Sequence, residues 1–183
     1  NEVLLSYQNT TIQSHLIGHY NYTNIAASIA IGEFFNVTTQ NIKIAIEDFI
    51  PSNNRSQLIE KKDNRIILDA YNANPSSMMA ALENFIQSKG DQKTVFLGDM
   101  FELGSDAEKE HQNIVSYLEK NYRGISYLVG ENFNKTTVNF STIYKFKTFE
   151  ELKTSLVKTM ITNQYVLIKG SRGMALERVL KYL

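Results

Sequence analysis

Three stretches of the chain end an apolar run in side chains able to hold a ligand. In LDAYNANPSSM, residues 68–78, the run Arg65-Ile66-Ile67-Leu68 gives way to Asp69, Asn72 and Asn74 before Pro75. An aspartate at a strand end is where α/β folds often grip a ribose diol, although the same residue also initiates turns. Asn74 precedes a proline, which suits the first helical position, so Asn74 can cap a helix over 75–88 or hold a ligand. In FLGDMFELGSDAEKEH, residues 96–111, Asp99 and Glu102 could meet a cation or an ammonium group, or be solvated. Ser105 and Glu108 have the spacing of a capping box, and His111 falls in register with Ile114, Val115 and Leu118, which predicts a packed histidine. In IKGSRGMALERVL, residues 168–180, Lys169 leaves a strand and Ser171-Arg172-Gly173 opens a helix. Its free N–H groups favour a carboxylate or phosphate; otherwise Ser171 caps the helix and Lys169 and Arg172 point to solvent.

These loops recur at even intervals. Strands are expected at 66–68, 94–97, 126–129, 142–146 and 165–168, alternating with amphipathic helices. The first polar residues after four of them, Asp69, Asp99, Glu131 and Lys169, are 30, 32 and 38 positions apart, the length of a strand-helix-strand unit. The fold class expected is therefore α/β, with a mainly parallel sheet, helices on both faces and polar loops along one edge. Before it, residues 3–17 read as two short strands about Gln8-Asn9-Thr10, and helices are expected at 21–35 and 39–49. Pro51-Ser52-Asn53-Asn54 breaks the pattern and marks a domain boundary.

Composition narrows the partners. Nineteen basic and nineteen acidic residues cancel, which leaves no field to attract nucleic acid or an anionic membrane. With no cysteine and three histidines, neither a disulfide framework nor a thiolate metal site is available, and a reducing cytoplasm is expected. No apolar stretch reaches the roughly 20 residues of a membrane helix. A P-loop, G-x-x-x-x-G-K-[ST], and a G-x-G-x-x-G fingerprint are both absent from the sequence.

The ordered set IGHYNYTNIAASIAIG, Pro51 with Arg55, LDAYNANPSSM, FLGDMFELG and LIKGSRGMALERVL runs nearly end to end and resembles the Mur ligase family. AYNANP, LGDM-x-ELG and KGSR point to the branch that joins D-Ala-D-Ala to UDP-N-acetylmuramoyl-tripeptide. The resemblance implies an ATP- and Mg²⁺-dependent ligase of peptidoglycan synthesis that works through an acyl phosphate. Residues 1–50 would be the tail of its central ATPase domain, with the P-loop and UDP-sugar domain upstream, and 51–183 a Rossmann-like closing domain. On that plan the chain alone has no catalytic residue, binds no metal, is monomeric and is inactive. Asn21, Asn24, Arg55 and Asp69 would bind ATP, with helix capping the other reading for Asn21 and Asn24. Asn72, Asn74, Asp99, Glu102, Lys169, Ser171 and Arg172 would orient D-Ala-D-Ala or the tripeptide end. Tyr20 stands where many relatives have histidine and Leu68 where some have a second aspartate, which implies that Asp69 acts alone. The competing readings are a sister ligase, adding another amino acid or glutamate to folate, and a non-catalytic nucleotide-binding module.

Overall fold

Alternating apolar residues fold the opening of the chain into a hairpin, β1 (Glu2–Tyr7) against β2 (Thr10–Ile17). Gln8 and Asn9 make its turn, both with positive φ, 45° and 61°, the conformation a two-residue hairpin loop requires. Val3, Leu5 and Ile12 pack on Ile25 and Ile29 of α1 (Tyr22–Phe34) and on Ile42 of α2 (Thr39–Glu47). Thr38 caps α2 by accepting from the Asn41 N–H at 3.3 Å. The computed structural model describes residues 2–90 and 92–183. The chain divides between Ser52 and Asn53 into two units.

The second unit is a six-stranded sheet ordered β3-β4-β8-β5-β6-β7. Its strands are β3 (Gln57–Lys61), β4 (Asn64–Asp69), β5 (Lys93–Gly98), β6 (Ile125–Val129), β7 (Ile143–Phe146) and β8 (Tyr165–Lys169). All neighbours run parallel except β3 and β4, which form a hairpin. Between them come α3 (Pro75–Gln87), α4 (Ala107–Asn121), α5 (Glu131–Lys135) and α6 (Phe149–Leu156).

Because side chains alternate along a strand, the inner strands β4, β8, β5 and β6 bury two sets. Ile66, Leu68, Phe96, Tyr127, Val129, Val166 and Ile168 pack with α6 and with Leu176, Val179 and Leu183. Ile67, Val95, Leu97, Leu128 and Leu167 point the other way and are buried too. On that face Phe85 of α3 lies 5.0 Å from the ring of Tyr165. The expected parallel sheet with both faces covered is thus found, with one addition. β3 was not expected: its residues are only partly buried at the sheet's edge, so QLIEK carries little apolar signal.

Two helix starts differ from expectation. Ser105 lies inside a 3-10 turn, Gly104–Asp106, that runs straight into α4, and Asp106 at the N-cap position has helical angles and no side-chain cap. A serine-glutamate capping box needs an extended N-cap residue, which Leu103 and Gly104 here prevent. After β8, the residues Arg172–Met174 form one short 3-10 turn, joined through left-handed Ala175 to a second, Leu176–Tyr182. No α-helix opens at Ser171.

Candidate functional site

The sheet order puts the carboxyl ends of β4, β8, β5 and β6 side by side on one rim, where the four polar loops were expected. Asp69 and Lys169 are register partners in adjacent parallel strands, so their side chains leave the same face. Lys169 is 2% exposed, and burying an unpaired ammonium would be prohibitive. Its Nζ donates to Asp69 Oδ2 at 2.6 Å and to the Asn72 carbonyl at 3.2 Å. Asp69 Oδ1 accepts from the Ser56 N–H at 3.1 Å. This corrects one expectation: Lys169 neither faces solvent nor stands ready for an anion, but is spent on Asp69. Oδ1 also accepts from the Ser56 hydroxyl at 3.5 Å; the Asp69 side chain keeps 15% of its surface exposed, and Oδ2 retains a lone pair.

Ser171 is also buried and already engaged. Its Oγ accepts from the Phe101 N–H at 2.9 Å and donates to the Ala73 carbonyl at 3.4 Å, and its N–H donates to the Asp99 carbonyl at 3.1 Å. It therefore ties three loops together instead of presenting a helix end to a carboxylate. Gly170 makes this possible: a Cβ there would sit 3.0 Å from the Gly98 Cα, so the two loops meet backbone to backbone.

Asp99 is likewise turned inward, at 2% exposure. Its carboxylate accepts from the Asn132 and Phe133 N–H groups, at 2.9 and 3.0 Å, and satisfies the start of α5 from a neighbouring strand end. His111 Nε2 lies 3.5 Å away and accepts from the Met100 N–H at 3.0 Å, which leaves Nδ1–H to donate to the Ala107 carbonyl at 2.6 Å. His111 is thus a packed histidine. The expected substrate contact by Asp99 is replaced by a structural one, because free amides of α5 claim its oxygens.

The exposed residues of the rim are others. Asn74 accepts from the Ser77 N–H at 2.8 Å and the Ser77 hydroxyl accepts from the Asn74 N–H at 3.1 Å, which closes a capping box for α3. Asn72 is exposed and accepts from the Ala73 N–H through Oδ1 at 2.9 Å. Glu102 is exposed, held at φ 64°. Arg55 and Arg172 are exposed and share Tyr71: their guanidinium carbons lie 3.6 and 5.1 Å from its ring centroid. A hydrogen bond from Arg55, then the charges of Arg55 and Arg172, holds the Tyr71 phenol below the usual tyrosine range.

In the first unit Asn21 does not cap α1. It is buried, donates from Nδ2 to the Ile17 carbonyl at 2.8 Å and accepts from Asn24 Nδ2 at 2.9 Å. Its helical angles place the side chain back along the chain, which corrects the capping alternative. Asn24 is exposed. Tyr71 was missed by sequence reasoning, although it lies inside the AYNANP loop. An aromatic among candidate ligands was the available signal, but its two arginines come from remote segments.

A mainly parallel sheet flanked by helices, with polar loops gathered beyond the carboxyl ends of its strands, defines a Rossmann-like α/β domain. Residues 54–172 match the family described as Mur ligase, glutamate ligase domain, and the chain belongs to that family. It is 33% identical, over 88% of its length, to the UDP-N-acetylmuramoyl-tripeptide--D-alanyl-D-alanine ligase of Rickettsia prowazekii, of which it covers 36%. The Treponema pallidum protein of the same name is 31% identical over 94% of the chain and is covered to 39%. Among solved structures, MurF from Acinetobacter baumannii superposes with a TM-score of 0.80 at 26% identity, covering 94% of this chain and 39% of that one. The chain thus spans under two fifths of these relatives. Family and fold are those the motifs implied, and these relatives fall in the branch the motif set resembles.

Proposed function

We propose that the chain is part of an ATP-dependent ligase that joins D-Ala-D-Ala to UDP-N-acetylmuramoyl-tripeptide in peptidoglycan precursor synthesis, in the cytoplasm and as a monomer. The single observation that carries this reading is the rim of the second unit, where Asp69, Tyr71, Asn72, Arg172 and Arg55 converge in a member of the Mur ligase family. The family reaction passes through an acyl phosphate, so water must be excluded while charge develops on phosphate oxygens.

In this reading the unit from Asn53 is the domain that closes over the nucleotide, and the residues before it are the tail of the central ATPase domain. Exposed Ile31, Phe34, Phe35, Phe49 and Ile50 in that first unit support the second assignment, since apolar surface of this extent marks a face that packs elsewhere. Lys169 and the Ser56 N–H hold the Asp69 carboxylate in one orientation, and its remaining lone pair accepts a ribose hydroxyl. Asn21 orients Asn24 toward the adenine. Arg55 and Arg172 meet anionic charge, while Asn72 and Glu102 face the dipeptide, Glu102 toward its ammonium group. Asn74, Asp99, Lys169 and Ser171 serve the ligand through the loops they fix.

Among the described residues no group of three or more acidic or histidine side chains could hold a metal ion, and no step is routed through Mg²⁺ here. ATP fits better, because two guanidiniums on the rim are left for an anion. The test is an assay of the full-length protein for phosphate release and amide formation with D-Ala-D-Ala against single amino acids and glutamate. D-Ala-D-Ala as the preferred acceptor is expected; preference for another amine would overturn the reading.

A further inference from the structure

Arg55 comes from the segment before β3, Tyr71 from the loop after β4, and Arg172 from the turn after β8. Neither arginine is in an ion pair among the described residues. Both lie against one aromatic ring, so their guanidinium carbons are no further apart than the 3.6 and 5.1 Å legs laid end to end. A tyrosine face attracts a cation and its hydroxyl accepts from one, which lets Tyr71 gather two charges that repel each other. Among the described residues no carboxylate pairs with either, so both exposed guanidiniums are left to meet an anionic ligand.

The geometry favours one kind of anion. A carboxylate carries one charge, which leaves one of two guanidinium charges unbalanced however its oxygens are shared. A phosphate group carries nearly two charges on three oxygens that diverge, and so can pair with two forks from different sides. We propose that Arg55, Tyr71 and Arg172 form a single phosphate-binding site in which Tyr71 is the positioning residue that holds both guanidiniums. This rests on the reading of the rim as a nucleotide site, and departs from assigning one arginine to the nucleotide and the other to the dipeptide.

The test titrates the 183-residue chain with inorganic phosphate, ADP and D-Ala-D-Ala at ionic strength held constant with sodium chloride. Calorimetry reads binding, and tyrosinate absorbance reads the Tyr71 ionisation, assigned with Tyr71→Phe. Inorganic phosphate or ADP is expected to bind saturably, with Arg55→Ala and Arg172→Ala each weakening it about tenfold, the loss of one charge-assisted hydrogen bond. Tyr71→Ala should weaken binding while Tyr71→Phe largely keeps it. Stronger binding of ADP than of phosphate identifies a nucleotide phosphate as the ligand, and equal binding identifies free phosphate; either supports the site. A bound phosphate offsets the two cations, so Tyr71 ionisation should move up toward its ordinary value in the unmodified chain, even where a variant fails to fold. An unmoved ionisation at saturating phosphate, a response to D-Ala-D-Ala alone, or loss of binding from only one arginine would overturn the proposal. Should D-Ala-D-Ala ligation by the full-length protein stand while these fail, only this inference falls.

Discussion

Lys169 Nζ stands 2.6 Å from Asp69 Oδ2, one residue at the end of each of two neighbouring parallel strands and both on the same face of the sheet. The pair is unequal: the lysine is 2% exposed and the aspartate 15%. The lysine depends on the aspartate more than the reverse.

Replacing Asp69 by Leu should therefore cost more than replacing Lys169 by Met. Removing one partner of a buried pair typically costs about 3–5 kcal/mol, with Asp69→Leu expected at the upper end and Lys169→Met at or below the lower. The double variant should lose less than the two singles together, since no uncompensated charge remains. Urea unfolding of all three variants checks this; additive losses would mean the pair does not interact across the strands.

In the full-length enzyme the same aspartate is expected to serve ATP. Asp69→Ala should raise the apparent Michaelis constant for ATP more than that for D-Ala-D-Ala, because ribose hydroxyls lose an acceptor while the dipeptide does not. Steady-state kinetics with each substrate varied in turn decides it. Equal changes in both constants would remove the ribose assignment.

How far the sequence spoke for itself varies with distance along the chain. Strands β4 to β8 were legible, as were α3 and α4, because each carries its own apolar pattern, and the Asn74 cap was legible because its partner is three residues away. The Asp69–Lys169 pair joins residues 100 positions apart and exists only because β8 inserts between β4 and β5, an order no local pattern encodes. Ser171 differs from the expected helix cap or substrate contact, and Asp99 from the expected ligand contact or solvated side chain, for the same reason: their true partners, Phe101, Ala73 and the start of α5, belong to other segments. Where a polar residue at a strand end is buried, the tertiary contact outweighs the local motif.

Gly130 is expected to be irreplaceable. Its φ is 131°, and a Cβ there would lie 2.2 Å from the Asp99 carboxylate carbon. Gly130→Ala thus adds backbone strain, about 1 kcal/mol or more, to displacement of a buried carboxylate from the α5 amides, a further 1–3 kcal/mol or so. A loss of about 2–4 kcal/mol in chemical unfolding should result, and Asp99→Ala in the same background should recover little, because the amides stay unpaired. A fully stable Gly130→Ala protein would show that this loop can shift.

The isolated 183-residue chain should not hydrolyse ATP. It contains no P-loop to cradle the transferred phosphate, so positioning and charge neutralisation at the reacting group are lacking. Phosphate release by a pure sample, scaling with the concentration of the chain, would refute this.

Tyrosine titration should separate two environments. Arg55 and Arg172 hold Tyr71 below the ordinary value, whereas burial without a partner for its hydroxyl pushes Tyr122 well above it. For Tyr71 the folded state favours the ionised form, so its contribution to stability appears as pH rises through the folded value and is complete above the unfolded value of about 10. For Tyr122 the folded state favours the neutral form; its contribution is present below about pH 10 and is lost as pH rises beyond that. Absorbance should accordingly show one early tyrosine that Arg55→Ala returns to the ordinary range, and one that ionises only as the chain unfolds. If Arg55→Ala leaves the early ionisation in place, the guanidinium on the Tyr71 ring is not its cause.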